Sequence, residues 1–171
     1  MKHLKRYTII GIFFVLITGT LAHFLYDWTG NNYIVGFFTP INESIWEHMK
    51  LLFFPMLIYS LFIIFKFKKI YPCITSALFF GILTGTLLIP LFFYAYTSLL
   101  GKDIFILDIG TFILSILIAF WLSYKLTLSC KLEPYTLLLC CFICSLFICF
   151  ILFTYHPPQT KIFENPTVSQ M

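Results

Sequence analysis

The sequence predicts an all-α integral membrane protein, a bundle of five transmembrane helices, from its composition and from the lengths of its apolar segments. Of the 171 residues, 60% are hydrophobic and 11% are charged, whereas a soluble domain is about 45–50% apolar and about 25% charged. Water cannot solvate that much apolar surface, so soluble enzymes and disordered proteins are excluded. The net charge of +4 is small and lies in short clusters, which indicates a lipid bilayer and no nucleic acid as the partner.

Five apolar segments follow one another along a chain that has room for one domain, residues 1–171. A helix of about 20 residues crosses a hydrocarbon core of about 30 Å, and each segment reaches about that length. The predicted spans are about 7–26, 42–65, 72–96, 106–124 and 134–155.

The first two spans are separated by a polar stretch, Asp27 to Asn32, and a short apolar segment. The second helix is expected to begin near Thr39, as an N-cap with Pro40 at the first helical position, or at Asn42 as the cap. It ends at the lysine-rich segment that starts with Lys66.

The last three spans have their own local signals. The third is long enough to tilt, and Pro90 is expected to kink it. The fourth ends before Lys125, and Pro134 opens the fifth. A cleaved signal peptide ending near Thr20 to Ala22 is the alternative for the first span, but the four spans that follow favour a retained helix.

Basic residues fall mainly on one side of the predicted bundle. With the N-terminus inside, eight of the 11 lie on the inner side: Lys2, Lys5, Arg6, Lys66, Lys68, Lys69, Lys125 and Lys131. The other three are Lys50, Lys102 and Lys161. The positive-inside rule therefore predicts an N-terminus inside and a C-terminus outside, in a multi-pass protein of a cytoplasmic membrane.

Small residues at intervals of four mark one face of the third and of the fourth span. Close packing of helices in lipid depends on such residues, so these faces are predicted to form a helix–helix contact. They could also bind a membrane-protein partner or a second copy of the chain. The residues are Ala77, Gly81 and Gly85, and Thr111, Ser115, Ala119 and Ser123.

A cluster of polar side chains is predicted at the outer end of the first two spans. Ionisable groups near a span are costly and by default indicate a function. The first span contributes His23, Tyr26 and Asp27; the second contributes Asn42, Glu43, Ser44, Trp46, Glu47, His48 and Lys50.

Three interpretations of this polar cluster stay open. Glu43 and Glu47 are four residues apart and repel unless a cation or a proton lies between them. A divalent metal held by members of the set His23, Asp27, Glu43 and Glu47 would meet that need. Glu47, His48 and His23 are the candidates for acid–base catalysis. Alternatively, Lys50 neutralises Glu47 in a structural cluster, or the groups belong to a proton or solute pathway.

The six cysteines include a C-x-x-C pair, Cys141 and Cys144. The pair follows Pro134 by seven to ten residues, which places it about 10–15 Å inside the bilayer by helical rise. Small apolar packing residues are therefore expected rather than a redox site.

Two motifs carry a resemblance to a known family. Residues 23–28 read H-F-L-Y-D-W, and residues 42–50 read N-E-S-I-W-E-H-M-K, followed by Phe54-Pro55. With the patterns H-F-x-Y-[ED]-W and N-E-S-x-W-E-H-x-K, the chain resembles a family of small bacterial polytopic membrane proteins of unknown function. The resemblance implies that the polar cluster is the family's shared feature, and it implies no activity.

The biochemical function therefore has three candidates at this point. One is a membrane-embedded enzyme, metal-dependent or acid–base, that acts on a lipid or a peptide. The others are a small permease and an accessory subunit of a membrane complex. The inner halves of the spans offer only hydroxyl groups and tyrosines, which weakens the permease interpretation.

Overall fold

The computed structural model describes residues 2–165, and its regular structure is helical throughout that range. Five helices are long and apolar enough to cross a membrane, which confirms the predicted all-α architecture. Two 3-10 turns complete the described structure, Glu133–Tyr135 before the last helix and Lys161–Phe163 after it. The helices are α1 (Lys2–Trp28), α2 (Tyr33–Gly36), α3 (Ile45–Phe67), α4 (Ile74–Leu100), α5 (Phe105–Ser129) and α6 (Thr136–Tyr155). Met1 and residues 166–171, which the single-domain expectation included, lie outside the described residues.

The start of α3 differs from both predicted caps. Ser44 is the N-cap, since its hydroxyl accepts a hydrogen bond from the Glu47 backbone N–H at 3.4 Å. Asn42 instead accepts from the Ser44 N–H at 2.9 Å, so it forms the turn before the helix. The S-x-x-E sequence from Ser44 to Glu47 is the capping signal that favours this boundary.

The spanning helices are joined by short connections, and each reverses the direction of the one before it. The basic end of the bundle contains the start of α1, the α3–α4 connection and the α5–α6 connection. The opposite end, called the polar end, contains residues 29–44, the α4–α5 connection and the end of α6.

Helices α3 and α4 form the centre of the bundle. α4 packs against α3, α5 and α6, and α1 packs against α3 and α5. In the most apolar stretch of α3 and of α4, more than half of the residues are buried inside the bundle. In the other three spanning helices about a fifth are buried. The outer helices therefore present their apolar side chains to the surroundings, as lipid contact requires.

The two small-residue faces lie at the contact between α4 and α5. A Cβ atom added to Gly85 would lie 2.7 Å from the Ala119 Cβ, and one added to Gly81 would lie 2.7 Å from the Ala119 carbonyl oxygen. Ala77 and Ser115 are also buried, and Thr111 is half-buried. Larger side chains would separate these two helices.

The expectation that all six cysteines are packing residues is wrong for one pair. Cys73 and Cys130 form a disulfide at the basic end, which joins the start of α4 to the end of α5. They are 57 residues apart, so only the pairing of α4 with α5 reveals their proximity. Cys141 and Cys144 are free and exposed on α6.

Candidate metal centre

Three side chains converge at the polar end from three consecutive parts of the chain. His23 lies near the end of α1, Glu43 in the connection before α3, and His48 in the first turn of α3. The two imidazole Nε2 atoms are 3.3 Å apart. The Glu43 Oε2 lies 3.6 Å from the His23 Nε2 and 3.4 Å from the His48 Nε2. These three atoms face one another, and we call the group the His23–Glu43–His48 triad.

The other ring nitrogen of His48 is fixed by the backbone. Nδ1 lies 2.9 Å from the Ser44 carbonyl oxygen, which can only accept, so the proton of a neutral ring is assigned to Nδ1. When Nε2 carries no proton, that tautomer directs its lone pair into the triad; in the metal-free protein a proton on Nε2 instead donates to the Glu43 carboxylate. Histidines that bind metals ordinarily donate their second nitrogen to a carbonyl or a carboxylate in this way.

Glu43 carries a negative charge that no lysine or arginine within residues 2–165 neutralises by an ion pair; its ion pairs are with the two histidines. Hydrogen bonds from His23 and then from His48 hold the pKa of the Glu43 carboxyl well below its usual range, against the opposing effect of partial burial. The side chain is 51% exposed. It is therefore an ionised carboxylate that small solutes can reach.

The spacing of the triad matches the edges of a metal coordination sphere. A tetrahedral zinc with ligands at about 2.0–2.2 Å separates neighbouring ligand atoms by about 3.3–3.6 Å. The triad's separations are 3.3, 3.4 and 3.6 Å. Among the described residues this is the group of histidine, cysteine and acidic side chains whose ligand atoms all lie within 4.8 Å of one another.

A cavity of about 170 Å³ adjoins the triad. His23 and Glu43 contribute to its wall, so the triad has space beside it. The remaining wall combines polar and apolar side chains, Phe24, Tyr26, Asp27, Pro40, Ile41 and Asn42. A small molecule could therefore approach the triad from this side.

Glu47, one helical turn after Glu43, has different surroundings. Its Oε2 accepts from the Lys50 ammonium at 2.8 Å and from the Ile41 N–H at 3.0 Å. Lys50 also donates to the Gly36 carbonyl at 3.1 Å and to the Thr154 hydroxyl at 2.7 Å. Both charged side chains are buried, with 2% and 0% exposure. All three ammonium protons have acceptors, so the pair ties residues 36–41 and α6 to α3.

The predicted polar-cluster residues thus divide into three groups. His23, Glu43 and His48 form the triad, which includes two of the four candidate metal ligands and adds His48. Asp27 is exposed at the cavity, where Tyr26 and Asn42 also lie. The rest belong to the scaffold: Ser44 caps α3, Trp46 packs on Phe150 and Phe163, and Glu47 pairs with Lys50.

One nearby pair was not among the predicted site residues. Asp108, in the first turn of α5, accepts a hydrogen bond from the Tyr96 hydroxyl of α4. The charges of Asp108 and of His48 interact, as do those of Asp108 and Glu43. The sequence places Asp108 at the same end as the polar cluster, but an acidic residue in the first turn of a helix is ordinary, so nothing in the sequence marks it as a site residue.

Comparison with known proteins gives one family. Its description is "Family of unknown function (DUF6512)", and it matches residues 1–170. No curated protein and no solved structure matches the chain. Because the match covers nearly the whole sequence, the chain belongs to this family of unknown function, DUF6512.

Proposed function

We propose that this protein is a metal-dependent enzyme of a bacterial cytoplasmic membrane, and that its His23–Glu43–His48 triad binds one zinc ion. The observation that carries the proposal is the spacing of the three ligand atoms, 3.3 to 3.6 Å. Two imidazoles with one carboxylate form a ligand set typical of catalytic zinc.

The donor atoms favour a transition metal over calcium or magnesium. Ca²⁺ and Mg²⁺ prefer oxygen ligands, whereas imidazole suits Zn²⁺ and its neighbours in the first transition row. The triad offers two nitrogens and one carboxylate oxygen. Only Glu43 brings a formal negative charge, so a bound dication keeps a net positive charge that can polarise a substrate.

A catalytic role is favoured over a structural one for two reasons. Structural zinc sites supply four protein ligands, whereas catalytic sites supply three and leave a position open. The helices around the triad also have a packed core of their own, which includes Val15, Leu52, Phe53 and Ile116, each with 0% exposure. A metal at one end of that core is not needed to close it.

The substrate is proposed to be a lipid or a peptide at the membrane surface. Phe24 and Trp28 stack on each other at the end of α1 with ring centroids 5.8 Å apart, and both are exposed. Aromatic side chains at the end of a span are typical of the interface between lipid and water. A substrate in that layer reaches the triad without leaving the membrane.

The N-terminus is proposed to lie inside, because the basic residues gather at the end opposite the triad. This orientation places the Cys73–Cys130 disulfide of the structure at the cytoplasmic end, where thiols are kept reduced. We therefore expect the disulfide to be opened to two thiols in growing cells. Alkylation of intact cells followed by mass spectrometry measures this, and a disulfide found before lysis would reverse the orientation.

Zinc titration of the purified protein tests the metal centre. After chelation and dialysis in detergent, isothermal titration should give one zinc per chain. H23A, E43A and H48A should each lower zinc affinity by more than about 100-fold, since loss of a second-shell partner alone costs about 10–100-fold. H156A is the matched control, because His156 is an exposed histidine at the same end and outside the triad. Equal affinity of the triad variants and the control would overturn the proposal.

A further inference from the structure

A fourth ionisable side chain, Asp108 of α5, lies at the same end of the bundle as the triad. The packing of α1 supports this placement, because Gly19 lies where three helices meet. A Cβ added to Gly19 would lie 2.5 Å from the Leu51 carbonyl oxygen of α3 and 2.7 Å from the Phe112 ring of α5. Gly19, Leu51 and Phe112 therefore lie at the same depth in the bundle.

From this contact point, one helical turn along each of the three helices towards the polar end leads to a functional side chain. On α1 the turn leads from Gly19 to His23, and on α3, which runs the other way, it leads from Leu51 to His48. On α5 it leads from Phe112 to Asp108. Residues three or four apart share a helix face, so the three side chains approach one another at one depth. The charge interactions of Asp108 with His48 and Glu43 agree with this placement.

Asp108 is near the triad without being one of its ligands. The atoms within 4.8 Å of one another belong to His23, Glu43 and His48 only, among the described residues. The Tyr96 hydroxyl donates to the Oδ1 of Asp108 and itself accepts from the Ile104 N–H at 3.4 Å. Oδ1 is thereby fixed, and within the described residues Oδ2 keeps its capacity to accept a proton.

We infer that Asp108 is the proton acceptor for hydrolysis of a carboxylic ester or an amide at this centre, with Tyr96 as its positioning residue. The inference rests on the proposed zinc site. Water attacks the carbonyl carbon and gives a proton to Asp108. The bond from that carbon to the leaving oxygen or nitrogen then breaks, the electron pair goes to the leaving group, and Asp108 returns the proton to it. The metal supplies stabilisation of the negative charge on the carbonyl oxygen.

The cavity wall selects a neutral carbonyl compound over a phosphate ester. Sites for phosphoryl groups hold their charge with arginine, lysine or several backbone N–H groups. The residues of the cavity wall include the acids Asp27 and Glu43 and, within the described chain, no lysine or arginine. Phe24, Pro40 and Ile41 supply an apolar side. An acyl group fits that wall. With zinc on Glu43, discrimination against a phosphate dianion depends on the Asp27 carboxylate and on a wall that offers no lysine or arginine within the described chain.

The binding of octanohydroxamic acid to the zinc-loaded protein tests this role. A hydroxamate chelates zinc and shares its proton with a neighbouring carboxylate, so it reports on both groups at once. D108N should weaken hydroxamate binding by about 10–100-fold, the equivalent of one hydrogen bond to a charged group. Zinc affinity should stay within about threefold, because Asp108 is not a ligand.

Three further measurements complete the experiment. Y96F keeps the Asp108 carboxylate but removes the hydrogen bond that holds it in place. It should weaken hydroxamate binding by about 3–10-fold. K102M, which removes an exposed charge from the same connection, is the control and should stay within about twofold. Octyl phosphate should bind the wild-type protein at least about tenfold more weakly than the hydroxamate. If D108N does not give a folded protein, hydroxamate binding by the Y96F variant tests the role of Asp108.

The possible failures are distinguishable. A wild-type protein that binds no zinc removes the proposed function itself. A protein that binds zinc, but whose D108N and Y96F variants bind the hydroxamate as K102M does, overturns the role of Asp108 alone. Octyl phosphate that binds as tightly as the hydroxamate overturns the substrate class.

Discussion

Glu43 and Glu47 are one helical turn apart in the sequence, yet the fold gives their carboxylates opposite surroundings. Glu43 is half-exposed, and its contacts are two imidazole nitrogens. Glu47 is 2% exposed, and its contacts are the Lys50 ammonium and the Ile41 N–H. The division follows from where each residue lies: Glu43 precedes the helix at the surface, whereas Glu47 is in its first buried turn.

Glu47 therefore belongs to the scaffold of the fold, whereas Glu43 belongs to the candidate metal site. A buried ion pair whose donors all have acceptors keeps segments in place but offers nothing to a ligand. An ionised, half-exposed carboxylate that contacts two imidazole groups can exchange those contacts for a metal ion once the imidazoles release their protons. Sequence spacing treats the two acids alike, and only their partners distinguish them.

The largest expected effect comes from breaking the scaffold. K50M leaves the Glu47 carboxylate buried without its cation, which costs about 3–5 kcal/mol of stability. Thermal unfolding in detergent, followed by tryptophan fluorescence, should show a large fall in Tm. K102M, at an exposed lysine of the same end, is the matched control and should change little. A K50M protein as stable as K102M would contradict the scaffold role.

The double variant E47Q/K50M sharpens the same point. Replacing both charges removes the desolvation cost together with the attraction, so the protein should recover much of the stability that K50M loses. The recovery is measured by the same unfolding experiment. Additive losses in the double variant would mean that the two side chains act separately.

Zinc should stabilise the protein through the triad. A ligand that binds only the folded state at 100 times its Kd adds about 2.7 kcal/mol. The unfolding temperature of the wild-type protein should therefore rise with added zinc and fall back with chelator. H48A should show no such rise, while H156A should respond like the wild type. A rise of equal size in H48A would place the zinc elsewhere.

The smallest effect is expected from Glu43 without metal. E43Q removes a carboxylate whose ionised form the two imidazoles stabilise, so at neutral pH the metal-free protein should lose only about 1 kcal/mol at this half-exposed site. The same substitution at Glu47 alters a buried ion pair and should destabilise the protein by several times more. Unfolding of E43Q and E47Q in the presence of chelator measures both. Similar losses would erase the distinction between the two carboxylates.

Much of the fold could be predicted from the sequence, because lipid-crossing helices depend on long apolar runs that composition reveals. The Glu47–Lys50 pair could also be anticipated, since residues three apart share a helix face. The triad could be predicted only in part: His48 joins it because α3 packs beside α1, and His23 lies 25 residues away. The Cys73–Cys130 disulfide and the approach of Asp108 likewise depend on which helices are neighbours, which apolar runs do not encode.

X-ray absorption at the zinc K-edge of the zinc-loaded protein tests the central claim most directly. The account predicts two imidazole nitrogens and two oxygens at about 2.0–2.2 Å, one oxygen from Glu43 and one from solvent. In E43Q the imidazole signal should persist with weaker zinc retention. Sulfur ligands at about 2.3 Å, or a protein that retains no zinc, would contradict it.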